Sequence, residues 1–197
     1  LGVVGLLYKG RAVAALARSF GCRVVATRRR LEAGTGVEAG VGGQGPSDGE
    51  GPSDALVTDL VLGPDGLPEL LAESDFVVLA APLTPATENM IDATALGAMK
   101  PGAWLINVAR GRLVDERALL RALRDGQVGG AVLDTFRDEP LAPSSPFYDL
   151  DNVIVTPHTS WSSGRVLDRS VELFCTNLRR FAAGEALLNL VDPAAGY

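Results

Sequence analysis

The chain contains a single histidine, so any imidazole chemistry belongs to His158. It stands in TPHTSW, directly after the apolar run 152–156 (NVIVT). An imidazole changes charge near neutrality, which suits a general acid in one direction and a general base in the other. Taken alone, a solitary histidine is more often a structural residue. Arg110 stands in NVARG, after a second apolar run, 103–108 (AWLINV). Its planar fork binds a carboxylate bidentately, as a lysine cannot; the plain alternative is a surface ion pair. A third candidate, Gly5-Leu6-Leu7-Tyr8-Lys9-Gly10, joins the first apolar run to the first helical pattern. Turns of the form G-x-G-x-x-G at that place carry a dinucleotide pyrophosphate on the helix N-terminus. The first and third glycines are present, and Leu7 takes the middle place. By itself that match is weak, and an ordinary strand–helix turn explains it better.

These residues need elements to hold them. Short β-rich runs at 1–5, 22–27, 75–80, 103–108, 128–133 and 152–156 alternate with helical patterns at 11–20, 67–73, 116–124 and 162–183. Continuous apolar runs suit parallel strands buried on both faces, and their alternation with helices predicts an α/β fold with a doubly wound parallel sheet. Asp115 can cap the helix at 116–124 and Gly126 can end it. In open sheets of this kind ligands bind at the C-terminal strand edge, where Arg110 and His158 fall. Residues 33–54 (AGTGVEAGVGGQGPSDGEGPSD) break the pattern. So little apolar surface cannot offset the entropy of ordering, and a surface loop inserted within one domain, 1–197, is expected.

Composition excludes several classes. At 197 residues and 47% hydrophobic the chain can bury one core and is not a disordered polymer. A net charge of -6 argues against nucleic-acid or anionic-membrane surfaces. Two cysteines are too few for a disulfide scaffold or a closed zinc site, and no metal is expected. No apolar run reaches the roughly 18 residues of a membrane span, and no charged leader precedes the first run, so a cytoplasmic domain is expected.

Three motifs in order, PLTPATENMID…MKPGAWLINVARGRLVDERALLRALRDG, then GAVLDTFRDEPL, then NVIVTPHTSW, resemble the D-isomer-specific 2-hydroxyacid dehydrogenase family, which includes glyoxylate/hydroxypyruvate reductases, phosphoglycerate dehydrogenases and D-lactate dehydrogenases. The resemblance runs from Leu1 to the closing LLNLVDPAAGY, apart from the glycine-rich insertion. It implies a Rossmann-type NAD(P)-binding domain of an oxidoreductase acting on a small 2-keto or 2-hydroxy acid. Arg110 would hold the substrate carboxylate and His158 would serve as acid–base. Glu139, in FRDEP, resembles the acidic partner that orients the imidazole. Ala81, Pro82 and Thr87 resemble the loop over the cofactor, and Val108, Ala109 and Arg110 would line its nicotinamide side. Asp134, in VLDTF, resembles the acceptor of the nicotinamide carboxamide.

Cofactor choice is read at the end of the second strand. NAD-selective sites place an acidic residue there, whereas this chain has Thr27-Arg28-Arg29-Arg30. Arg28 and Arg29 favour a 2′-phosphate with no carboxylate to repel it, so NADP is expected over NAD. Two departures stand out. Leu7 and Lys9 replace residues of the usual turn; either the turn is remodelled with Tyr8 and Lys9, or Leu7 weakens cofactor binding, and weakening is expected, the more so if the turn needs a positive φ there. The family also places about a hundred residues of substrate domain before this one, and residues 173–197 would pack on it, leaving Leu173, Phe174 and Leu178 exposed in its absence. The family dimerises largely through this domain, so a homodimer is expected. A non-catalytic, nucleotide-sensing module and an inactive truncated fragment are the other readings.

Overall fold

Valine, leucine and alanine dominate strands of three or four residues, each flanked by a helix or a tight turn. The computed structural model describes residues 1–29, 54–191 and 193. In chain order these form β1 (Gly2–Val4), α1 (Tyr8–Ser19), β2 (Val25–Thr27), α2 (Asp54–Val57), β3 (Leu60–Leu62), α3 (Leu67–Glu73) and β4 (Phe76–Leu79). There follow α4 (Ala93–Ala98), β5 (Trp104–Asn107), α5 (Glu116–Arg124), β6 (Gly130–Leu133), β7 (Val153–Val155) and α6 (Val166–Ala182). All seven strands are parallel, in the order β3-β2-β1-β4-β5-β6-β7. The order reverses between β1 and β4, so the crevice of a doubly wound sheet opens at their C-terminal ends.

Both faces of the sheet are buried. Val3 and Ala26 face one way and pack with Leu6, Ala14, Val24 and Val57 beneath α1. Val4, Val25, Val77, Leu79, Leu105 and Leu133 face the other way, in the larger core. Alternation along β1, β2 and β3 therefore feeds two cores, whereas Phe76 of β4 and Ile154 of β7 are exposed. Asp115 caps α5, accepting the N–H groups of Arg117 and Ala118 at 3.0 and 3.1 Å. Gly126, at φ +73°, ends it in the left-handed conformation a glycine tolerates.

The elements differ from the sequence expectation in three ways. The first helix starts at Tyr8 rather than at residue 11, which puts Lys9 and Gly10 in its first turn. The last starts at Val166 rather than at 162. The sequence pattern also missed α2, β3 and α4, elements of three to six residues that are too short to show a period. The expected loop at 33–54 lies outside the described residues except for Asp54, which opens α2.

Candidate active site and cofactor crevice

Gly5 follows β1 at φ +97°, and a Cβ there would stand 2.6 Å from the Cα and N of Ala81. The turns after β1 and β4 thus touch through backbone, and only glycine permits it. Gly10 does a second job. A Cβ on it would meet the Gly5 carbonyl oxygen at 2.2 Å, so its absence lets α1 pack onto the strand. These are the roles of the first and third glycines of a dinucleotide turn. Leu7 differs from what the sequence suggested. Its φ is −109° with extended ψ, so no left-handed strain falls on it. Its N–H donates to the Gly5 carbonyl at 2.9 Å, and its side chain is 37% exposed at the head of α1. The first turn of α1 has neither an acidic residue nor a side-chain cap, leaving its positive end open to an anion. Tyr8 is exposed beside it, and Lys9 reaches across to the Val108 carbonyl in a weak 3.4 Å contact.

The loop after β4 is tied by Thr87, whose hydroxyl donates to the Pro82 carbonyl at 2.7 Å and accepts the Thr84 N–H at 2.8 Å. Ala81 is buried at its root. After β5, Asn107 is 1% exposed and clamps the turn that presents Arg110. Its Oδ1 accepts the Ala109 N–H and its Nδ2 donates to the Arg110 carbonyl, both at 3.0 Å. Sequence reasoning missed Asn107; an amide ending an otherwise apolar strand was the available signal. Ala109 is buried and Val108 half-buried, while Arg110 is exposed and spends one N–H on the Ala109 carbonyl. Four N–H donors remain for a ligand.

Glu139 and His158 come from the loops after β6 and β7 and meet. The Glu139 Oε2 lies 2.8 Å from His158 Nδ1, and its Oε1 accepts the Phe136 N–H at 2.9 Å. Burial alone would push the Glu139 carboxyl up, but the His158 and Phe136 hydrogen bonds and the charges of His158 and Arg110 bring it below its ordinary value. A carboxylate only accepts, so Nδ1 carries the proton and Nε2 is not engaged by Glu139. Asp134, at the end of β6, is 2% exposed and already engaged by Thr156, Thr159 and Ser160. Burial raises its carboxyl, and those donors outweigh it, holding it at about 2.

Arg28 requires a correction. A carboxylate does stand beside it. Asp54 bridges Arg28 at 2.7 Å and Arg11 at 2.6 Å, brought there by α2 from 26 residues downstream. The three side chains keep a net positive charge. Arg29 is exposed next to them, and Arg30 lies outside the described residues. Among the described residues no cluster of three or more His, Cys, Asp or Glu is placed to hold a metal ion.

The fold has counterparts in known proteins. Residues 48–160 match the sequence model described as D-isomer specific 2-hydroxyacid dehydrogenase, NAD binding domain. The chain belongs to this family. It is 37% identical to a glyoxylate reductase of Korarchaeum cryptofilum over 196 residues, covering 98% of this chain and 52% of that protein. A D-isomer specific 2-hydroxyacid dehydrogenase of Xanthobacter autotrophicus Py2, solved with NADPH and MES, superposes with a TM-score of 0.83 at 36% identity, covering 100% of this chain and 72% of that one. An NADPH-dependent glyoxylate/hydroxypyruvate reductase of Sinorhizobium meliloti, solved with NADP and sulfate, gives 0.81 at 29% identity, covering 100% and 56%. The chain spans about half the length of the curated relatives it matches. None of its described helices is long and apolar enough to cross a membrane.

Proposed function

We propose that this domain is the cofactor-binding half of a cytoplasmic, NADPH-preferring reductase of a small 2-keto acid of the glyoxylate or hydroxypyruvate type. The observation that carries the reading is the 2.8 Å Glu139–His158 pair at the same sheet edge as Arg110. Bound at the crevice, the nicotinamide would supply a hydride to the keto carbon. Arg110 would hold the substrate carboxylate with its remaining donors. His158 would give its proton to the carbonyl oxygen, and Glu139 would hold the imidazole and favour its charged form. Gly5, Gly10 and the open end of α1 would receive the pyrophosphate, with Lys9 beside it. Ala81, Pro82, Thr87, Val108 and Ala109 would border the nicotinamide side.

The remaining half of the relatives' length would supply the surface that closes the substrate cleft. None of the residues of α6 is buried; Phe174 and Leu178 are exposed as expected, with Leu167 and Phe181, whereas Leu173 is half-buried rather than exposed. We assign residues 173–197 to pack on that missing half; 192 and 194–197 lie outside the described residues. Dimerisation through this domain belongs to the same reading, and a monomer in sedimentation at micromolar concentration would oppose it. The direct test follows absorbance of NADPH with glyoxylate and hydroxypyruvate in the full-length protein. Tight NADPH binding without consumption of either acid would favour a nucleotide sensor instead.

Cofactor preference has its own test. Arg28→Ala should weaken NADPH about tenfold and NADH little, a difference of roughly 1.4 kcal/mol. The preference should shrink with added salt. Equal losses for both cofactors would remove Arg28 from 2′-phosphate recognition. For the turn itself, Leu7→Gly should tighten NADPH binding about tenfold by removing a side chain from the pyrophosphate's approach. Unchanged or weaker affinity in titration would mean that the turn is rebuilt around Leu7.

A further inference from the structure

We propose that Asp134 is a positioning residue, which fixes the backbone on both sides of His158 so that the imidazole meets Glu139. The inference rests on the acid–base reading of His158 and gives Asp134 a task other than holding the cofactor. Its Oδ1 accepts the Thr156 hydroxyl at 2.5 Å and the Thr159 N–H at 2.9 Å, and its Oδ2 accepts the Ser160 N–H at 2.9 Å. One donor precedes His158 in the chain and two follow it, so the carboxylate brackets the residue.

His158 needs such bracketing. Its φ is +53°, in the left-handed region, and a non-glycine residue stays there only when its surroundings over-determine it. Its own N–H turns back to the Thr156 carbonyl at 3.1 Å. The imidazole is 37% exposed and meets Glu139 at 2.8 Å, so the main-chain conformation at His158 helps decide whether the ring can reach that partner. Glu139 is anchored from the same place, because the Phe136 N–H that holds it lies two residues after Asp134. The Asp134 N–H in turn donates to the Asn107 carbonyl at 3.0 Å, which joins this clamp to the turn that presents Arg110. One buried carboxylate at the end of β6 thereby sets the relation between the loops of β6 and β7.

The solitary histidine makes the test specific. In the 15N-labelled chain one imidazole contributes one pair of ring nitrogens, and the Nδ1–H tautomer should predominate in the neutral ring. Asp134→Asn retains one acceptor but sets an NH2 group against the Ser160 or Thr159 N–H. It should move the tautomer ratio about fivefold toward Nε2–H. Thr156→Val keeps both amide bonds and should move it the same way by less, which decides the matter if the first variant does not fold. Folded variants with an unchanged ratio overturn the proposal. An unchanged ratio with weakened NADPH binding would return Asp134 to the carboxamide. A shifted ratio with undiminished turnover in the full-length enzyme would uphold the positioning and refute the catalytic role of His158.

Discussion

On the proposed acid–base reading, His158→Ala is expected to lower turnover of a 2-keto acid by the full-length protein by about 10²–10⁴, the usual contribution of a general acid. NADPH affinity should change little, because in that reading the imidazole acts on the substrate oxygen. Glu139→Gln should show a smaller loss in kcat with a KM close to native. Gln can still accept from Nδ1, but it brings no negative charge to favour the protonated ring. Turnover that survives in His158→Ala would remove the acid–base assignment, whatever the cofactor does. Within this domain no second imidazole could substitute, since its 197 residues contain no other histidine.

Gly111→Ala should have the largest effect on stability. A Cβ at Gly111 would lie 1.9 Å from the Phe136 carbonyl carbon, 2.2 Å from its oxygen and 2.4 Å from the Arg137 nitrogen. All three are main-chain atoms, so no rotamer change relieves the overlap. The segment after Arg110 and the segment before Glu139 must separate. We expect a loss of about 3 kcal/mol or more, the upper range for overpacking. For a domain of this size that is a fall of roughly 6–12 °C in Tm. Whatever folded fraction remains should bind its 2-keto acid poorly, because Arg110 and Glu139 no longer keep their relation. Gly97→Ala is the control. No atom lies within 4 Å of a Cβ there, and Gly97 sits inside α4, so the change should be neutral or stabilising by up to about 1 kcal/mol. Equal melting of the two variants would contradict the close-contact argument.

Much of this was legible in the residues. Runs such as FVVL and WLIN suited parallel strands and form them, although Phe76 is exposed, and a helix over 116–124 announced itself through Asp115 and Gly126. Both signals are local, in hydrophobic period and capping chemistry, and so survive without tertiary context. Arg110 and His158 could be placed at the C-terminal sheet edge for the same reason: each follows a strand by a few residues. The pairing of Glu139 with His158 came only from the resemblance, since the two stand 19 residues apart on different loops.

What the tertiary structure decided involves partners far apart in the chain. Asp54 returns to Arg28 and Arg11 across a stretch with no readable period, so a turn that read as free of carboxylate contains one. Leu7 carries no backbone strain, because the positive φ of the turn falls on Gly5, two residues earlier. Asn107 drew no reading and Asp134 read as the carboxamide acceptor, yet Asn107 ties the turn that carries Arg110 and Asp134 accepts two main-chain N–H groups just after His158. Composition and periodicity report which residues are buried together. Which buried carboxylate meets which backbone N–H depends on how strands 20 or 30 residues apart are laid side by side, and the fold alone determines that.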